Sequence, residues 1–291
     1  MNRWKPLLAV VFLMIKPAAA LSEPPAPKLI DKPRLVSSSK QAITISPQSA
    51  AKVGRQVWRN ETGGSRDAIT AWNTAEDFMS LGIGHFIWFP EGLRSKFKES
   101  FPEMLEFLRN HGATPPTWLR MSPVVPCPWK TKREFLRDFH SPKMTELRVF
   151  LLDTMGLQAQ FLVARMNDAL PKILASLPNA KDRAHVRHQF YRVVAASKDL
   201  YPLIDYINFK GEGISPTETF PNRKTGKPEG WGLKDVLLVM NGTSSKPDDV
   251  LAEFADAAGF ALKRRIANNP RDKRWRRGWL SRIQTYRHPL Q

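Results

Sequence analysis

From Ser46 onward the chain mainly repeats apolar residues at the three-to-four spacing of a helix, and between Gly64 and Pro90 that spacing vanishes. This pattern limits the fold to a helical domain carrying one small β-containing lobe. Ser46-Pro47 supplies an N-cap followed by proline at the first helical position, and Ala50, Val53, Gly54, Val57 and Trp58 then share one face until Gly63-Gly64 stops the helix. Inside the interruption Gly, Ser and Thr rise, and the aromatic run His85 to Phe89 predicts a hairpin. Beyond it the periodicity predicts a helix with Leu93, Phe97, Phe101, Met104, Leu105 and Leu108 on one face, lightly broken by Pro102. Further helices are predicted over about 141–177, 181–207, 232–241 and 248–268, with no internal repeat. The fold class is therefore mainly α (α+β), a single cooperative unit over 46–291.

Residues 1–20 read as a cleaved secretory signal peptide. Arg3 and Lys5 precede an apolar run from Leu7 to Ile15, and Ala18-Ala19-Ala20 meets the small-residue cleavage rule. Residues 21–45 hold Pro24, Pro25, Pro27, Pro33 and three consecutive serines, the composition of an extended linker. The expected location is the periplasm or the exterior. The single Cys127 cannot close an internal disulfide, so stability has to come from the apolar core.

Charge then becomes informative. The 45 Lys and Arg exceed the 27 Asp and Glu by 18. Removing Arg3, Lys5 and Lys16 with the signal leaves an excess of 15. For an exported chain this directs attention away from nucleic acid and toward an anionic envelope surface. From Lys263 to Arg287 there are ten basic residues against Asp272 alone, interleaved with Trp275, Trp279 and Tyr286. Segment 263–291 reads either as a device for docking on an anionic, amphipathic surface or as a packed helix with a solvated basic rim. The chain is expected to act as a monomer.

The residues that carry chemistry lie between Val57 and Phe89. Glu61 continues the buried face of the first helix, past Ala50, Gly54 and Trp58, and sits at the helix's C-terminal end. Desolvation and the negative end of the helix dipole both favour the protonated form, which suits a general acid in glycoside cleavage. Downstream, Ser80-Leu81-Gly82-Ile83-Gly84-His85 closely resembles the Thr-Ile-Gly-Ile-Gly-His stretch of phage-type lysozymes, in which a Glu closing the first helix precedes a β lobe bearing that motif. The resemblance spans about 30 residues. It implies a lysozyme-like fold, cleavage of the β-1,4 glycan of peptidoglycan, Glu61 as catalytic acid, Ser80 as the hydroxyl that helps to hold the attacking water, and His85 as the counterpart of the family's structural His. Six residues before the hydroxyl, where the family places a second acid, this chain has Thr74, with Asn73, Glu76 and Asp77 close by.

A second candidate stretch runs from Asp205 through Asn208 to Glu212, the last lying between two glycines. Trp231-Gly232-Leu233 resembles the Gly-Leu-Met-Gln helix start of transglycosylase-type lysozyme relatives. As the opposing wall of a cleft, Asp205, Asn208 or Glu212 would supply the further acid or sugar-binding group, with Glu212 the candidate for catalysis. Pyranose rings stack on flat aromatic faces beside polar edges, which makes Trp72, Trp88, Phe89 and Trp231 suitable, Trp72 being the one expected to be most exposed, alongside Asn73 and Thr74.

No metal or cofactor is called for, since His185 and His188, the only close His pair, lack an acidic or Cys neighbour. The leading expectation is a muramidase acting on peptidoglycan or a related aminosugar polymer. A lytic transglycosylase, a chitinase or chitosanase, and a non-catalytic wall-binding protein are the alternatives.

Overall fold

A computed structural model describes residues 42–95, 97–120 and 126–290. The expected signal peptide and residues 21–41 of the linker lie outside the described residues. The fold is mainly α, 62% helix and 7% strand, with a small antiparallel lobe. It opens with α1 (Pro47–Thr62) and a three-stranded sheet of β1 (Thr70–Ala71), β2 (Met79–Leu81) and β3 (Phe86–Trp88). Next come α2 (Phe101–Asn110), α3 (Lys132–Arg137), α4 (Pro142–Asp153), α5 (Met155–Ser176), α6 (Ala180–Ser197) and α7 (Tyr201–Lys210). A two-stranded pair, β4 (Thr219–Pro221) and β5 (Pro228–Gly230), precedes α8 (Leu233–Val239), α9 (Pro247–Asn268) and α10 (Arg276–Gln284).

Local sequence explains how α1 starts and stops. Ser46 Oγ accepts the Ser49 N–H at 3.1 Å, with Pro47 at the first helical position. Gly63 adopts φ 64° and returns its N–H to the Arg59 carbonyl, a left-handed cap that ends the helix two residues after Glu61. The buried stripe of Ala50, Val53, Gly54 and Val57 packs against α5, the long central helix.

The lobe is an antiparallel meander in which Ser80 pairs with Ala71 on one side and Ile87 on the other. Two buried polar side chains tie it to the helical body. Gln158 of α5 accepts the Ile83 N–H at 2.9 Å, and Arg148 of α4 donates to Thr70 Oγ1 at 2.9 Å and to the Phe139 carbonyl at 2.7 Å. Gln158 thus satisfies a backbone N–H that the short sheet leaves unpaired, and Arg148 ties β1 to the chain just before α4.

Several boundaries differ from those read in the sequence. Residues 42–45 belong to the domain rather than to the linker: Ile43 and Ile45 pack on the core, and Asn167 bonds both the N–H and the carbonyl of Ile43. Pro102 opens α2 instead of interrupting a longer helix, because a proline in the first turn lacks only an N–H that has no helical partner. The 141–177 segment is two helices meeting at 65°, and 181–207 is likewise two, α6 and α7. Lys198 and Leu200 take positive φ at that second break, Asp199 accepts the Tyr201 N–H, and Pro202 starts the new helix. The β4–β5 pair has no counterpart in the periodicity, since its strands are three residues each. No single helix among the described residues is long and apolar enough to cross a membrane.

Candidate functional site

Three elements far apart in the chain converge on Glu61 of α1. Its Oε1 accepts from Arg282 Nη2 of α10 at 2.7 Å and from Asn208 Nδ2 of α7 at 3.4 Å. Its Oε2 lies 3.7 Å from His85 Nδ1 in the turn between β2 and β3. His85 holds φ 48°, a left-handed conformation that costs a residue with a β-carbon about 1 kcal/mol. The turn is closed by the His85 N–H on the Gly82 carbonyl.

Behind this carboxylate lies a buried ionic layer. Arg282 grips Asp205 with two bonds, Nε to Oδ2 at 2.8 Å and Nη2 to Oδ1 at 2.7 Å, while the Tyr286 hydroxyl also donates to Oδ2. Asn60 donates to Asp205 Oδ1 at 3.2 Å and to the Tyr201 hydroxyl at 2.8 Å. Asp205 is 0% exposed, and such a charge persists in the interior only with a cation and further donors around it. Burial alone would lower the Arg282 pKa, but Asp205 and Glu61 outweigh it and raise the value. Burial, and then Asp205, push the Tyr201 and Tyr286 phenols up, so both remain donors.

Lys210, two residues past Asn208, has its Nζ 3.4 Å from the Trp279 ring centre and 3.8 Å from that of Phe209. It is 9% exposed, and burial followed by the neighbouring Arg265 and Arg282 lowers its pKa to about 6.

Two cavities flank the carboxylate. One, of about 340 Å³, is lined by Gly84, His85 and Asn208 from Glu61's side, by Arg165, Asp168 and Lys172 of α5, and by Glu212. The other, of about 440 Å³ and more open, is lined by Glu61 itself with Asn60, Phe209, Trp279 and Arg282.

No protein-family model, curated protein or solved structure matches this chain. The likeness to phage-type lysozymes therefore rests on Glu61 and the Ser80–His85 stretch alone.

Of the candidate residues, the structure brings Glu61, His85, Asn208, Asp205 and Glu212 into one region, with Asp205 a buried anchor for Arg282 and Glu212 paired loosely with Lys172 at 3.6 Å. The others lie elsewhere. Ser80 is buried in the central strand of the lobe. Trp72, expected to be exposed, is only 6% so, its indole N–H bound to the Glu76 carbonyl and its ring against Phe135, because the lobe needs it as core. Asn73 is exposed and bonded to Glu76, and Thr74 accepts from Lys132. Trp231 is buried between Phe220 and Arg265, and Trp88 is fully buried against Phe101.

Arg282, Asn60 and Arg165 carry no signal of their own in the sequence, and Trp279 reads there only as part of the basic, aromatic docking segment. Arg282 and Trp279 sit in the basic segment, where their neighbours Arg274, Trp275, Arg276 and Arg277 are exposed, so composition made the whole segment look like surface. Segment 263–291 is in fact split in role: Tyr286 and Arg282 are integral to the core and the site, and the 271–277 stretch forms the basic surface. Among the described residues no cluster of His, Cys, Asp and Glu is arranged to hold a metal.

Proposed function

We propose that this chain is an exported glycosidase that cleaves the β-1,4 glycan of peptidoglycan or a related aminosugar polymer, with Glu61 as the proton donor. The observation that carries the reading is the asymmetric environment of the Glu61 carboxyl. Oε1 accepts two donors, Arg282 and Asn208, and this leaves Oε2, 3.7 Å from His85 Nδ1, as the oxygen open to the approach of a glycosidic oxygen. A glycosidic oxygen reaching Oε2 would take the Glu61 proton as its bond to the anomeric carbon breaks. Glu212 lies on the wall of the neighbouring 340 Å³ cavity, which His85 and Asn208 also line, and is the group available to orient the water that completes hydrolysis. Trp279 and Phe209 line the cavity containing Glu61, with Lys210 already stacked on both rings, so a pyranose there would meet only the parts of those rings that Lys210 leaves uncovered.

The exposed basic stretch 271–277, with Trp275 51% exposed among Arg271, Lys273, Arg274, Arg276 and Arg277, serves in this reading to hold the monomeric enzyme on the anionic envelope. The test is digestion of purified peptidoglycan by the intact chain and by Glu61→Gln, with mass spectrometry of the products. The substitution preserves an acceptor for Arg282 and removes the proton, so solubilisation of glycan should fall at least about a hundredfold. Reducing-end products identify a hydrolase, and anhydro ends a lytic transglycosylase. Undiminished digestion by Glu61→Gln overturns the assignment.

A further inference from the structure

Arg165 is a cation without a bonded partner. It projects from α5 into the 340 Å³ cavity beside His85 and Asn208, and among the described residues it makes neither a hydrogen bond nor an ion pair. The carboxylates around it are accounted for differently: Glu103 is 3.6 Å from Lys98, Glu212 is 3.6 Å from Lys172, and Asp168, one turn along α5, is solvent-exposed. Burial lowers the Arg165 pKa, and Glu103 and Glu212 partly restore it from a distance. A guanidinium desolvated in this way presents a planar fork of donors whose best complement is a carboxylate, bound through two parallel N–H···O bonds.

We propose that Arg165 is a specificity residue that takes a carboxylate appended to the aminosugar chain, so that the cavity selects acidic over neutral glycans. This rests on the glycan-cleaving reading above and adds to it the class of sugar recognised. The appended acid could be the lactyl acid of a muramic-type sugar or a carboxylate of an attached peptide. Both offer the same group to the guanidinium, whereas a chitin-type sugar offers none.

The experiment is equilibrium binding to the intact protein of four short ligands: a muramic-type disaccharide with its free lactyl acid, the methyl ester of that disaccharide, the same disaccharide bearing a dipeptide on the lactyl group, and the neutral N,N′-diacetylchitobiose. At least one of the two acids should bind about tenfold more tightly than the ester and the neutral sugar. Which acid it is identifies the source of the carboxylate. The preference should collapse to about one in Arg165→Gln and return in part in Arg165→Lys, with binding of the neutral sugar unchanged throughout. A role as mere counter-charge to Glu103 and Glu212 would weaken all four ligands together and would overturn the proposal. So would a wild-type protein that binds the acids no better than the ester, or that binds none of the four. If Arg165→Gln does not fold, the wild-type acid-to-ester ratio and its decline with salt carry the test. Acid-selective binding by a protein that cleaves no glycan would refute the enzymatic reading and leave this one standing.

Discussion

Arg282 and Glu61, 221 positions apart in the chain, meet at 2.7 Å, and the same guanidinium holds the fully buried Asp205 through two bonds. One cation thus couples a partly accessible carboxylate at the cavities to an inaccessible one beneath it. The two substitutions that break the first contact should therefore differ greatly in effect. Arg282→Met strands Asp205 as an uncompensated buried charge and should cost about 3–5 kcal/mol. Glu61→Gln leaves the Arg282–Asp205 pair intact and should cost about 1 kcal/mol or less. Urea midpoints at neutral pH measure both, and equal losses would contradict this division of roles.

Lys210 makes stability depend on pH. Its folded pKa is lowered to about 6 from an ordinary 10.5, by burial first and by Arg265 and Arg282 next. Below about pH 6 both folded and unfolded chains carry the proton. Between there and 10.5 the unfolded chain holds it and the folded one does not, so this residue's contribution rises with pH across that window. Lys210→Met should flatten that rise, gaining most over the wild type at pH 6. Thermal melts of both proteins at a series of pH values would show parallel curves if Lys210 were not responsible.

The resemblance motif contains a glycine with a structural duty. Gly82 has φ 75°, and a β-carbon there would meet Gln158 Oε1 at 2.6 Å, the atom that accepts the Ile83 N–H. Gly82→Ala should cost about 1–3 kcal/mol and loosen the turn that carries His85. Hydrogen exchange at the Ile83 amide reports it directly: protection there should fall further than in α9.

Cys127 should be chemically silent in the folded protein. Burial pushes its thiol up to about 12, and the side chain is almost wholly enclosed. A disulfide reagent at pH 8 should react with none of it until denaturant is added, and then with one equivalent. Rapid labelling of the native chain would show that the packing around Cys127 opens readily.

The basic surface and the basic segment can be separated by mutation. Replacing Arg271, Arg274, Arg276 and Arg277 with Gln touches exposed side chains and should alter stability little, by about 0.5 kcal/mol per site, while weakening retention on purified anionic cell-wall material. Truncation at Lys263 removes Arg282 and Tyr286 with the surface residues and should abolish folding. Far-ultraviolet circular dichroism of both variants, with retention measured on the first, checks the pair.

Local signals carried much of this protein's architecture. Ser46-Pro47 and Gly63 bracket α1 in the sequence as in three dimensions, and the loss of helical spacing after Gly64 marks the β lobe, because caps, left-handed turns and apolar periodicity act over a few residues. The position of Glu61 at the end of a buried helical stripe is legible for the same reason. What surrounds Glu61 is not. Arg282, Asn208 and His85 reach it from three other elements, and no local spacing records a contact across 147 or 221 residues. Burial likewise overrode local context at Trp72, beside Asn73 and Thr74, at Trp231, between two glycines, and at Tyr286, in the arginine-rich segment, all of which are enclosed in the core. The chain's own order thus determines where helices begin, where they stop and which face each buries. Only tertiary packing decides which charges meet, because desolvating Asp205 demands a cation and the fold supplies it from the far end of the chain.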